Sequence, residues 1–336
     1  MAQELRLNDF FCGCGGIGLG FKNAGFTIAK AWDVDPYAVK SYMANVDSNV
    51  EQRDISEMTY RDVPYADVWS FGFPCQDLSS AGSCKGIYEG SRSRLFFEIM
   101  RLLNELRQND PTRLPKMIIA ENVKGVKKYL SVIENEYQKN GYSMQYQLID
   151  SAQWGVPQKR ERYYMVGLLE GVVSKFDFPI PSRKFCSMKA VLQFDVPEKY
   201  YVHYEKSVQI VASYLGPEIE FEVAQNRPLS TVSEYITGYY SQKDGFKQSD
   251  ISNTIDATYS KGLGSNQYRP AIIERYEVDV FRVRKLTPSE YGRLQGFPWD
   301  WIQVVSDSQA YKQFGNAVTV NVSNAISNAM KNSIRR

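Results

Sequence analysis

From residue 5 to residue 170 the chain alternates short apolar runs with amphipathic stretches, a pattern that specifies a parallel sheet covered by helices. The spacing predicts strands in LRLNDFF (5–11), FTIAKAW (26–32), ADVWSFG (66–72), KMIIAEN (116–122), MQYQLID (144–150) and RYYMVGL (162–168). Helices are predicted in PYAVKSYMAN (36–45) and RLFFEIMRLLNELR (94–107), where Leu95, Phe96, Ile99, Leu102, Leu103 and Leu106 recur at helical spacing and read as core. From about Phe176 to Val283 the texture turns to short tyrosine-rich pieces broken by Pro, Gly, Ser and Asn, which predicts an irregular or β-rich second domain. Helix returns in KLTPSEYGRLQGF (285–297), where Thr287 as N-cap, Pro288 and Glu290 make a capping box. A last helix is predicted in NAVTVNVSNAISNAMKN (316–332).

Composition excludes several classes. No run approaches the length of about eighteen apolar residues that a membrane span needs, and the start, MAQELRLNDFF, has neither a basic nor an apolar leader region. A cytoplasmic protein is expected. Five scattered cysteines suit a reducing compartment, and one of them can serve as a nucleophile. With His203 as the single histidine, a histidine-based triad and a multi-histidine metal centre are both ruled against. A net charge of +2 neither argues for nucleic acid nor excludes it.

DFFCGCGGIGLGF, residues 9–21, admits two ligands. A metal on Cys12 and Cys14 would need further soft ligands, and no second Cys pair or histidine cluster supplies them, so no metal is expected. Read as a nucleotide loop, its glycines turn the chain after a strand and let the backbone approach a ligand. Asp33 ends the next strand about twenty residues on, where a carboxylate takes the two hydroxyls of a ribose. Dinucleotides and S-adenosylmethionine share this pattern.

FGFPCQDLSSAG (71–82) puts a Pro-Cys just beyond an apolar strand, at the carboxyl edge of the sheet where open α/β folds bind ligands. Here the sequence resembles the cytosine-5 DNA methyltransferases of bacterial restriction-modification systems. The same family's blocks follow in its order: DFFCGCGG (9–16), RDIS (53–56), ENV (121–123), PQKRER (157–162), RKLTPSEYGRLQGFP (284–298) and QFGNAVTVNV (313–322). The resemblance implies a Rossmann-like α/β fold, with 1–175 as the catalytic and cofactor-binding domain, 176–283 as target-recognition domain, and 284–336 returning to the catalytic domain.

It also implies chemistry. Carbon 5 of cytosine is a poor nucleophile, and a thiolate added at carbon 6 makes it reactive. Cys75 matches that thiolate. Glu121 matches the proton donor to ring nitrogen 3, a role that needs a carboxyl kept protonated by burial. Arg162 matches the group holding the carbonyl oxygen, and Arg160 a support for it or for a phosphate. For S-adenosylmethionine, Phe11, Gly13, Gly15, Gly16 and Asp33 match the glycine loop and ribose carboxylate, Asp54 the acceptor from the adenine amine, and Asn316 with Val318 the late segment closing the pocket. Val34, Ile55, Pro74 and Leu95 complete the implied cofactor site. Val34 is a departure, since a close relative carries an aromatic residue there.

Cytosine inside a duplex must be flipped out to be reached. Residues 79–94 suit a closing loop, with Ser79 and Arg92 toward DNA. In SNTIDATYSKGLGSNQYRP (252–270), Thr254 matches a threonine of the family's recognition domains, and Lys261, Asn266 and Arg269 offer base or phosphate contacts. Double-stranded DNA is the expected partner of a monomer, with a cognate restriction endonuclease in the same system. The family's tRNA-methylating branch is the alternative, and methyl acceptance by each polymer separates them.

Overall fold

A computed structural model of the chain describes residues 4–73, 94–181, 184–216, 218–224, 232–264 and 266–335. It divides into two compact units: Met1–Asp150 with Glu161–Pro181 and Ala317–Arg336, and Ser151–Arg160 with Ser182–Asn316.

In the first unit the strands are β1 (Arg6–Phe10), β2 (Thr27–Asp33), β3 (Val50–Gln52), β4 (Val68–Phe71), β5 (Met117–Val123), β6 (Tyr142–Asp150) and β7 (Glu161–Leu169). They form one sheet in the order β3-β2-β1-β4-β5-β7-β6, with β7 antiparallel to both its neighbours. The central strands are buried on both faces, which explains why they read as continuous apolar runs. The helices are α1 (Gly16–Asn23), α2 (Pro36–Asn45), α3 (Leu95–Asn109), α4 (Leu130–Lys139) and a C-terminal helix (Val320–Ile334). Helix α3 buries Phe96, Ile99, Met100, Leu102, Leu103 and Leu106 along one stripe. Asp35 caps α2 by accepting from the Tyr37 N–H at 2.9 Å. Strand order reverses between β1 and β4, so the crevice at their carboxyl ends is the switch point where such sheets bind ligands.

The second unit holds a five-stranded sheet, β10-β9-β11-β12-β8, built from β8 (Glu222–Val223), β9 (Glu234–Ser241), β10 (Gly245–Gln248), β11 (Arg269–Glu277) and β12 (Val280–Lys285). Three helices accompany it: α5 (Tyr204–Leu215), α6 (Pro288–Arg293) and α7 (Asp307–Asn316). The expected capping box is present at α6: the Glu290 N–H donates to Thr287 Oγ1 at 3.2 Å and the Thr287 N–H to Glu290 Oε2 at 2.8 Å.

The structure differs from the sequence reading in several places, among them the assignment of Ser151–Arg160 to the second unit. Residues 284–316, grouped by sequence with the catalytic domain, pack within the second unit. The cause is a buried charge cluster, in which Arg284 bonds Glu274 at 2.6 Å and Glu290 at 2.8 Å, together with Tyr259 stacked on Tyr291 and Tyr311 packed edge-on against both. Helix α5 lies in a stretch read as lacking helix; it buries Ser207, Ile210 and Val211. The last helix, expected over 316–332, runs from Val320 to Ile334, and α7 forms just before it in a stretch for which no helix was expected.

Candidate active site

At the carboxyl end of β1, residues 11–15 turn the chain back into α1. Phe11 takes φ 53°, unusual without a glycine, and Gly13 and Gly15 take 55° and 105°. A Cβ on Gly13 would meet no atom within 4 Å, while the Gly13 N–H donates to Asp33 Oδ2 at 2.8 Å. A left-handed backbone facing open space beside a carboxylate lets a ligand lie against bare main chain. The other glycines serve packing. A Cβ on Gly16 would stand 2.3 Å from the Val318 carbonyl oxygen, and one on Gly15 would stand 2.4 Å from Val46 Cγ2.

Asp33 also accepts from the Asp35 N–H at 2.9 Å; burial pushes its carboxyl up, against the pull of these two N–H groups. Next to it Val34 is 63% exposed, an apolar surface suited to a flat ring. The Arg53 N–H donates to the Asp33 carbonyl at 3.0 Å, which sets Asp54 beside the same strand end. Asp54 Oδ1 accepts from the Ser56 N–H at 2.9 Å and its hydroxyl at 2.7 Å, capping the turn Ile55–Glu57, with Ile55 buried. Leu95 opens α3, half-buried. Burial raises the thiols of Cys12 and Cys14, the latter to about 12, so both are inert. Among the described residues no three His, Cys, Asp or Glu side chains gather as metal ligands.

The carboxyl end of β5 carries Glu121. Its register with β7 opposes Glu121 to Tyr164 and Val123 to Arg162, so Glu121 and Arg162 are diagonal neighbours on one face. Arg162 Nε stands 3.3 Å from Glu121 Oε1, and both side chains are largely buried. A Cβ on Gly72, just past β4, would lie 3.9 Å from Glu121 Oε2, so the chain passes this pair as it enters the Pro-Cys motif. Pro74, Cys75, Ser79 and Arg92 lie outside the described residues.

Two functional neighbours were missed by sequence reasoning. Asn122 donates its amide to the Phe73 carbonyl at 3.0 Å and accepts from the Val123 N–H at 2.8 Å, pinning the residue before Pro74. Asp9, inside β1, accepts from Ser70 Oγ at 2.7 Å, from the Tyr42 hydroxyl at 3.3 Å and from the Gly18 N–H; burial raises its carboxyl to about 7. Both are polar side chains fully buried within their strands.

In the second unit Arg160 is buried and donates to the carbonyls of Ile255 (3.5 Å) and Gly315 (3.3 Å), holding backbone together. Arg269, read as a DNA contact, is also buried: from the start of β11 it donates to Thr258 Oγ1 at 2.8 Å and to the Gly262 carbonyl, so its charge is spent inside the unit. Thr254 is exposed, its hydroxyl donating to the Lys159 carbonyl at 2.8 Å. Lys261, Asn266 and Asn316 are exposed. Val318, by contrast, belongs to the first unit, where its backbone covers Gly16.

The model of the family described as C-5 cytosine-specific DNA methylase matches residues 5–332. Type II methyltransferase M.NlaX of Neisseria lactamica is 34% identical over 333 residues, covering 97% of this chain and 96% of the relative. Type II methyltransferase M.HhaI of Haemophilus parahaemolyticus is 31% identical over 325 residues, covering 95% and 91%. Among solved structures, the Entamoeba histolytica methyltransferase EhMeth superposes with a TM-score of 0.69 at 18% identity, over 99% of this chain and 100% of that one, a likeness of fold. The Rossmann-like α/β sheet read from the sequence is the sheet found, and the chain belongs to the C-5 cytosine-specific DNA methylase family.

Proposed function

We propose that this enzyme methylates carbon 5 of a cytosine flipped out of double-stranded DNA within a short recognition sequence, with S-adenosylmethionine as methyl donor. The observation that carries this reading is the buried pair of Glu121 and Arg162, 3.3 Å apart on one face of β5 and β7. A proton donor and a fixed cation side by side suit a ring that gathers negative charge at nitrogen 3 and the neighbouring carbonyl oxygen.

The donor's site fits the residues present. Gly13, open above a left-handed backbone, and Asp33 would hold the sugar and the methionine portion; exposed Val34, Asp54 and Ile55 would take the adenine. Phe11, Gly15, Gly16 and Val318 shape the floor. By resemblance Pro74, Leu95 and Asn316 join them. When bound, S-adenosylmethionine supplies a methyl group carried on a positively charged sulfur.

Cys75, by resemblance the nucleophile, would add its thiolate to carbon 6, with Glu121 giving a proton to nitrogen 3 and Arg162 bonding the carbonyl oxygen. Asn122 would hold the approach to Cys75 by fixing the Phe73 carbonyl. After the methyl reaches carbon 5, loss of the carbon 5 proton lets the sulfur leave. Thr254, Lys261 and Asn266 are the proposed recognition contacts, with Ser79 and Arg92 from the segment after Cys75; Arg160 and Arg269 act as internal braces. We further propose a cytoplasmic monomer; that it works beside a cognate endonuclease is supported by the type II names of its relatives.

A duplex with 5-fluorocytosine at the target tests the mechanism, since fluorine cannot leave as a proton. With S-adenosylmethionine present, a denaturing gel should show a covalent complex that Cys75→Ala abolishes. Absence of any adduct on the wild-type protein sinks the addition step.

A further inference from the structure

We propose that Lys127 and Lys128 hold phosphates of the DNA strand that carries the target cytosine. This rests on the reading that Glu121 receives the flipped base. The turn Lys124–Tyr129 starts directly beyond Val123, at the end of β5 that carries Glu121. Val126 is fully buried and anchors it, while Lys127 and Lys128 are exposed. In a 3₁₀ turn residues three apart eclipse, so Lys127 lines up over Lys124 and Lys128 opens to the next side.

The three lysines are not equivalent. Lys124 is held by Glu161 at 2.9 Å, whereas Lys127 and Lys128 enter no ion pair among the described residues. They also precede α4, whose first turn has no acidic residue. Cations there oppose the helix dipole, so the free protein bears an electrostatic cost that an anion would relieve. The molecule's net charge of +2 leaves little general field to draw in the DNA backbone, so local cations have to do that work.

The test is the salt dependence of duplex binding, read by anisotropy on a labelled duplex for the wild-type chain and for Lys127→Gln/Lys128→Gln. Each phosphate contact contributes about 0.9 to the slope of log K against log salt, so the double variant should lose about 1.8, with affinity at ~0.1 M salt down by at least about tenfold. Lys127→Arg/Lys128→Arg should restore the slope. S-adenosylmethionine affinity by calorimetry, unchanged in the Gln variant, separates a lost contact from a damaged fold. An unchanged slope overturns the proposal. If Glu121→Gln methylates DNA at the wild-type rate, the seating of the base at Glu121 fails instead, whatever the slope.

Discussion

Glu121 and Arg162 sit 3.3 Å apart with both side chains largely buried. Glu121→Gln keeps the shape and removes the acid; turnover should fall by about 10²- to 10⁴-fold while cofactor affinity stays within about twofold. A rate within tenfold of wild type would remove Glu121 from the chemistry. Asp9 supplies a second prediction. Its carboxyl is raised by burial from 3.8 to about 7 in the folded chain, so the neutral form is favoured there. A group raised in this way contributes most below pH 3.8 and loses that contribution as pH climbs to about 7. Asp9→Asn, which cannot ionise, should therefore gain on the wild-type chain by about 2 kcal/mol between pH 5 and 8 in urea unfolding. An offset independent of pH would contradict this. Neither Asp9 nor Asn122 was legible as a site residue, because their partners Ser70 and Phe73 are 61 and 49 residues away in the chain. Glu121 and Arg162 were legible because both fall inside short family blocks.

The glycine loop separates two uses of one residue type. Gly16→Ala drives a methyl group into the Val318 carbonyl at 2.3 Å, backbone against backbone, and should cost about 1–3 kcal/mol of stability. Gly13→Ala meets no protein atom and bears only about 1–2 kcal/mol for its left-handed φ, yet it fills the space assigned to the donor. Its affinity for S-adenosylmethionine should drop at least about tenfold by calorimetry, a loss of ~1.4 kcal/mol. Equal affinities for Gly13→Ala and wild type would move the ligand away from this loop. Sequence periodicity found six of the strands in the first unit and missed β3, whose three residues are too few to alternate. It also missed α7 and began the last helix at residue 316, four residues before its start at Val320.

Across the whole molecule, the chain leaves the first unit at Ser151, re-enters at Glu161, leaves again at Ser182 and returns at Ala317. Two family blocks, at 157–162 and 313–322, straddle these crossings, so residues of one motif serve both units: Arg160 braces the second while Arg162 faces Glu121 in the first. That division is invisible in a linear motif and follows from where Arg284, Glu274 and Glu290 bury their charges. The α/β sheet, in contrast, was readable from the apolar runs, because buried strands leave no other pattern, while its strand order and the antiparallel setting of β7 were not.

The central claim is methyl transfer to cytosine in duplex DNA. Labelled S-adenosylmethionine, offered with unmethylated duplex DNA and in parallel with tRNA, followed by bisulfite sequencing, tests it most directly. The account predicts label at carbon 5 of duplex cytosines within one short recurring context. Label confined to tRNA, or absent from both polymers, would contradict it.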